Sequence, residues 1–89
     1  MTAKKKVSLA IHPGEHIADE LAAREMTAAD LARAMDVDAG RVSRLINEHT
    51  SVTGDTALRL AEAFGTSAEF WMRLQADYDL ARAREARVA

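Results

Sequence analysis

The sequence predicts an all-α protein of five helices in one domain. Its 89 residues are 48% hydrophobic and 29% charged, and only 4% are aromatic. Alanine and leucine lose little freedom on entering a helix, and they supply much of the apolar content. Apolar side chains recur every three or four residues, which is the helical period. A chain this short has one hydrophobic core, so we expect a single domain over residues 11–87, which a second copy would help to stabilise.

The composition excludes several classes of protein. Without cysteine the chain has no disulfide, no thiolate zinc site and no cysteine nucleophile. No apolar run approaches the roughly 18 residues that cross a bilayer, and no signal-peptide pattern opens the chain. We therefore expect a cytoplasmic protein with no membrane partner, no metal and no cofactor.

The first helix begins at His12 and Pro13. Proline suits the first helical position because the N–H that it lacks would have no partner there. Ile17 and Leu21 continue one apolar face, and the helix ends before Met26.

Two short helices follow. Thr27 and Asp30 have the spacing of a capping box, and Asp38 is placed to cap the next helix. The inward-facing residues predicted for these two helices are Leu31, Ala32, Met35, Val42, Leu45 and Ile46.

Thr53 is the expected N-cap of helix four, where Val52 can pack against Ala57. Gly65 is placed to end this helix in the left-handed conformation. The predicted apolar face is Leu58, Ala61 and Phe64.

The last helix is expected over about residues 67–86, with a capping box from Thr66 to Glu69. It carries two apolar stripes, one of Phe70, Trp71, Leu74, Tyr78 and Ala81 and the other of Met72, Ala76, Leu80 and Ala83. One face of a helix cannot hold both, so we expect cover on two sides. In a domain this small, another protein chain is the expected second cover.

The spacing between about residues 27 and 47 predicts a helix-turn-helix. This motif needs a small residue within its first helix, a tight turn four residues later and apolar anchors beyond. Ala32, Asp36, Val37, Val42 and Leu45 occupy these positions in order. An ordinary helical hairpin is the alternative, because alanine and leucine are abundant.

The segments Leu31–Val37 and Val42–Asn47 resemble the lambda-repressor-like, or XRE-type, helix-turn-helix domain. The segments His12–Glu15, Thr53–Ala61 and Phe64–Gln75 resemble the narrower group of HigA-type antitoxins. The likeness covers nearly the whole chain, about residues 11–84.

The resemblance implies a five-helix lambda-repressor-like DNA-binding domain whose C-terminal helix is extended for dimerisation. It implies a homodimer that binds double-stranded operator DNA, represses its own operon and neutralises a small ribonuclease toxin. Members commonly pair through the C-terminal region, and Trp71, Leu74 and Tyr78 are the candidates here. For Trp71, burial within its own chain is the alternative.

The N-terminal part of helix three faces the major groove in this fold. The candidate DNA-contacting residues there are Asp38, Ala39, Gly40, Arg41, Ser43 and Arg44, and Thr27, Thr50 and Ser51 are candidates for phosphate contacts. Ala39 offers only an apolar contact to a thymine methyl, and Gly40 has no side chain. Arg41 and Arg44 are therefore the main candidates for base contacts, with ordinary surface arginines as the alternative.

The charge balance opposes strong non-specific DNA binding. The net charge is −2, and between residues 24 and 47 four arginines face four acidic residues. A flexible basic tail is predicted over residues 1–10, where Lys4–Lys6 are either solvated or a phosphate-contacting arm. A stand-alone phage-type repressor and a protein-interaction module with weakened DNA binding are the alternative functions.

One further pattern concerns metal chemistry. His12, Glu15 and His16 match the H-x-x-E-H spacing of some zinc peptidases. His12 precedes Pro13, outside the helix, and no third ligand is evident, so the pattern does not support an enzyme.

Overall fold

The computed structural model describes residues 10–88, in which all regular structure is helical. The helices are α1 (Pro13–Arg24), α2 (Ala28–Met35), α3 (Ala39–Ile46), α4 (Gly54–Phe64) and α5 (Ala68–Val88). The predicted all-α class and the five helices are confirmed. The predicted tail, with Lys4–Lys6, lies outside the described residues except for Ala10.

Local side-chain caps set where the first four helices begin, and those of α2, α3 and α4 are the predicted ones. The N-cap residues are His12, Thr27, Asp38 and Thr53. Thr27 and Asp30 form the complete capping box: each side chain accepts a hydrogen bond from the other's backbone N–H, at 3.0 and 2.9 Å. These bonds satisfy N–H groups that have no partner within the helix.

The start of α5 differs from the prediction by one residue. Ser67, not Thr66, caps the helix, because its Oγ accepts a hydrogen bond of 3.1 Å from the N–H of Phe70. The Thr66 hydroxyl instead accepts the indole N–H of Trp71 at 2.7 Å. The predicted capping box of Thr66 and Glu69 is therefore wrong, because the Thr66 hydroxyl that this box requires accepts the buried indole N–H instead.

The core lies between the helices and contains the side chains Ile17, Leu21, Leu31, Ala32, Met35, Val42, Leu45, Val52, Ala57, Leu60, Phe64 and Trp71. One prediction about α4 is wrong, because Leu58 is 61% exposed. Ala57, Leu60 and Phe64 form the buried face, at the i, i+3 and i+7 spacing of one helical side. Leu58 lies about 100° around the helix from Ala57, since a turn has 3.6 residues.

The loop before α4 is attached to α5 by a buried hydrogen bond. The N–H of Val52 donates to Oε1 of Gln75 over 2.7 Å, and the Gln75 amide in turn donates to Asp79. Gln75 thus satisfies a loop N–H that water cannot reach. None of the helices within residues 10–88 combines the length and the hydropathy that a membrane-spanning segment requires.

Candidate nucleic-acid interface

The helix-turn-helix scaffold forms as its spacing predicted. Asp36 ends α2 in the left-handed conformation, with φ of 59°. The next residue, Val37, donates its N–H back to the carbonyl of Ala32 at 3.0 Å. Ala32, Val42 and Leu45 are buried where α2 and α3 pack together. The turn therefore holds α3 across α2 with its other side free.

The free side of α3 carries most of the predicted DNA-contacting residues. Asp38, Ala39, Gly40, Ser43 and Arg44 are all exposed, whereas Arg41 is only partly exposed. Asp38 uses its carboxylate to accept the N–H of Arg41 at 2.8 Å. Its charge is therefore fixed at the start of the exposed face.

A shallow cleft of about 320 Å³ separates α3 from the beginning of α4. It is lined by Arg41, Arg44, Leu45, Thr50, Ser51, Thr53 and Thr56. The fold thus brings the predicted phosphate-contacting hydroxyls of Thr50 and Ser51 beside two arginines that precede them in sequence. Thr27 is exposed at the start of α2 but does not line this cleft.

Arg44 lies over Gly40 on the exposed surface of α3. Its Nη1 is 3.3 Å from the position that a Cβ would take on Gly40. Within residues 10–88 the Arg44 guanidinium makes neither a hydrogen bond nor an ion pair. The missing side chain at Gly40 therefore leaves space for a guanidinium whose five donors meet no acceptor in the described part of the chain.

Arg41 is arranged differently. Its Nη2 donates to Oδ2 of Asp55 and to Oγ1 of Thr56, both at 2.9 Å. Both acceptors belong to the first turn of α4. The two arginines predicted to contact bases thus differ in availability: one is held by α4 and the other is unpaired.

Asp55 and Arg59 of α4 together connect this helix to α3 and α2. Asp55 accepts a second hydrogen bond, of 3.0 Å, from Nε of Arg59, whose Nη1 donates to the carbonyls of Met35 and Asp36 at the end of α2. The pKa of Asp55 is lowered, first by the hydrogen bond from Arg41 and then by that from Arg59. Sequence reasoning missed Asp55. Its i, i+4 spacing to Arg59 is a usable signal, but nothing local links it to Arg41.

The residues predicted for dimerisation face their own chain. Trp71 has no exposed surface, and its ring packs against Phe64 and Phe70 with centroids 5.8 and 5.1 Å apart. Leu74 is partly buried against the core, and Tyr78 places its ring edge-on to His12 at 4.9 Å. The alternative interpretation of Trp71 is therefore correct: its side chain is buried within its own chain and is not available to a second copy.

The other predicted stripe of α5 is exposed at every position, whereas in the first stripe only Phe70, at 43%, is exposed. Met72 is 40% and Leu80 is 51% exposed, and Ala76 and Ala83 are exposed beside them. The helix is thus packed on one side by its own chain, and the second apolar side faces outward.

The two histidines of the H-x-x-E-H pattern have structural contacts. Nδ1 of His12 accepts the N–H of Gly14 at 2.9 Å, and the His16 ring packs edge-on to Phe70 at 6.4 Å. No group of three potential metal ligands occurs in the described part of the chain. The pattern is accounted for by a helix cap and a ring contact.

Known proteins match this architecture in sequence and in structure. A protein-family model for the helix-turn-helix matches residues 17–71. Virulence-associated protein I of Dichelobacter nodosus is 40% identical over 77 residues, which are 85% of this chain and 71% of that protein. An addiction module antidote protein of the HigA family from Coxiella burnetii superposes with a TM-score of 0.83 at 45% identity, covering 86% of this chain and 85% of that one.

A second solved structure is that of the Pseudomonas aeruginosa antitoxin HigA with the higBA promoter. It superposes with a TM-score of 0.82 at 45% identity, again over 86% of this chain and 85% of that one. The family match spans more than half of the sequence, and each of the two solved relatives covers 86% of this chain. The chain belongs to the lambda-repressor-like helix-turn-helix family and, within it, to the HigA-type antitoxins.

Proposed function

We propose that this protein is an antitoxin that binds operator DNA as a homodimer, represses its own operon and neutralises a small ribonuclease toxin. The exposed face of α3, where the unpaired Arg44 borders a hydroxyl-lined cleft, carries the DNA-binding part of the proposal. The likeness to the HigA structure determined with promoter DNA supports it.

On this proposal α3 enters the major groove. Arg44 can donate two hydrogen bonds to one guanine, Ser43 can add a third to a neighbouring base, and the methyl of Ala39 can contact a thymine. Thr50 and Ser51, with the N–H groups at the start of α4, are placed to bind a phosphate. Thr27 can do the same at the start of α2.

An electrophoretic mobility-shift assay with the DNA upstream of the gene tests this. Arg44→Ala should weaken operator binding by about 1–3 kcal/mol per half-site and relax discrimination at one base pair. Arg82→Ala is the matched control, because Arg82 is exposed on α5 and lies on a different side of the helix from Met72 and Leu80; it should leave binding unchanged. If the unmodified protein gives no shift, alone or with the protein of the neighbouring gene, the repressor function is wrong.

For the dimer, we assign the second copy to the exposed stripe of α5 rather than to Trp71. Leu80→Arg places a charge in the middle of this stripe and should convert dimers into monomers in analytical ultracentrifugation. Val88→Arg, at the exposed end of the same helix, is the control and should not. If Leu80→Arg remains dimeric but no longer binds the toxin, the stripe serves the toxin instead.

A protein-interaction module with weakened DNA binding is the second candidate. Ala39 and Gly40 offer no polar side chain, and Arg41 is held by α4. This candidate predicts toxin binding with no operator shift. A stand-alone repressor predicts the opposite result, a shift with no neighbouring toxin gene.

A further inference from the structure

We propose that Arg41 is a positioning residue that clamps the recognition helix α3 to the first turn of α4, and that the arginine contacts to bases come from Arg44 alone. The inference rests on the proposed function and divides the roles within the same surface. It separates two arginines that the sequence treats alike.

The clamp is a two-point contact. One nitrogen of Arg41 donates at 2.9 Å both to the Asp55 carboxylate and to the Thr56 hydroxyl. Thr56 is only 3% exposed, and its hydroxyl also lies 3.2 Å from that of Thr53. A base contact that used Nη2 would break both of these bonds and would remove a partner from a buried hydroxyl, which is costly.

The charges at the first turn of α4 also support a positioning role for Arg41. A cation beside the beginning of a helix is unfavourable, because the N–H groups there carry partial positive charge. The carboxylate of Asp55 offsets this by lying between Arg41 and Arg59, with bonds of 2.9 and 3.0 Å. Arg59 extends the connection to the carbonyls that end α2. The clamp thus joins both helices of the motif to α4.

The clamp has a consequence for the cleft. Arg44 projects from α3, whereas Thr53 caps the start of α4, and both line the same cleft. The distance between α3 and α4 therefore determines whether Arg44 can contact a base while the start of α4 contacts a phosphate of the same DNA molecule. A small misplacement of a binding group is enough to lose affinity, because DNA contacts need defined geometry.

Asp55→Ala tests the proposal through the sign of its effect. If Arg41 contacts DNA directly, removing Asp55 frees a cation and deletes an anion beside the phosphates, so operator binding tightens. If Arg41 is a clamp, binding weakens, and we expect at least a fivefold loss. Asp19→Ala, which removes an exposed carboxylate from α1, is the charge control. Tighter operator binding by Asp55→Ala overturns the proposal.

Arg41→Ala gives a second readout that loss of fold would not mimic. It should lower operator affinity while leaving the salt dependence and the preference at every base pair unchanged. A direct phosphate contact would reduce the salt slope by about one, and a direct base contact would relax one position. In the Asp55→Ala background Arg41→Ala should have little further effect, since the clamp is already broken. Additive losses would overturn the proposal.

Urea unfolding gives a test without DNA. It compares the unmodified protein, Arg41→Ala, Asp55→Ala and the double variant. The combined loss of stability in the double variant should be smaller than the sum of the two single losses, because both remove one interaction. Additive losses would contradict the clamp. Absence of a shift with the unmodified protein would contradict the proposed function, and the unfolding data would still decide whether the clamp exists.

Discussion

Gly14 in α1 lies directly against the carbonyl oxygen of Leu45 in α3, with no space for a side chain between them. A Cβ on Gly14 would fall far inside van der Waals contact with this oxygen and 3.0 Å from the carbonyl oxygen of Ile46. Both oxygens are backbone atoms, so they cannot rotate away as the end of a side chain could. This contact places α1 across the end of the recognition helix.

Gly14→Ala should therefore destabilise the protein by about 1–3 kcal/mol, the usual cost of forcing extra atoms into a packed site. Urea unfolding followed by circular dichroism measures this. Gly54→Ala is the control, because the Cβ it would add meets no described atom within 4 Å apart from its neighbours in the chain and the backbone of its own helix. Equal stability of the two variants would show that α1 can move away from α3 at little cost.

The bond between Gln75 and the N–H of Val52 gives a second prediction. Gln75→Leu keeps most of the side-chain volume but leaves a buried N–H without an acceptor, which costs about 1–3 kcal/mol. Asp79→Ala removes only the exposed partner of the Gln75 amide and should change stability by less than about 0.5 kcal/mol. If both variants unfold at the same urea concentration, the loop does not depend on α5.

Glu48 offers a stabilising change. It has φ of 65°, in the left-handed region that favours glycine. Glu48→Gly should raise stability by roughly 0.5–1 kcal/mol, the relief of strain less the added chain entropy of glycine. Glu62→Gly, in the middle of α4, should lower stability by about 1 kcal/mol, because its backbone is helical. A lower melting temperature for Glu48→Gly would contradict this account.

Acid should destabilise the protein through Asp30 and Asp55. The pKa of Asp30 lies below its ordinary value of 3.8, chiefly because the backbone and then the hydroxyl of Thr27 donate to it, and the pKa of Asp55 is also lowered. The unfolded chain therefore binds more protons in acid. The stability that these groups contribute is present above about pH 4 and is lost as pH falls through their lowered values.

The double variant Asp30→Asn, Asp55→Asn should accordingly lose less stability than the unmodified protein between about pH 4 and pH 2. Thermal melts at a series of pH values measure the difference. Parallel curves for the two proteins would show that other carboxylates cause the acid sensitivity.

The sequence by itself determined the helices and the motif. The caps Thr27, Asp38 and Thr53 could be predicted because each bonds to a backbone N–H three residues away. The buried positions Ala32 and Val42 could be predicted because helical periodicity is also local. Such short-range bonds depend on residue type and spacing, which the sequence shows directly.

Only the tertiary structure decided which residues are free to bind. Arg41 and Arg44 look equivalent in sequence, but packing brings Asp55, 14 residues away, to Arg41 and leaves the Arg44 guanidinium without a hydrogen bond or ion pair among residues 10–88. Both stripes of α5 are apolar, and the side of Trp71 faces inward because its indole fits against Phe64 and bonds to Thr66. Contacts between distant segments depend on how whole helices fit together, and no local pattern encodes them.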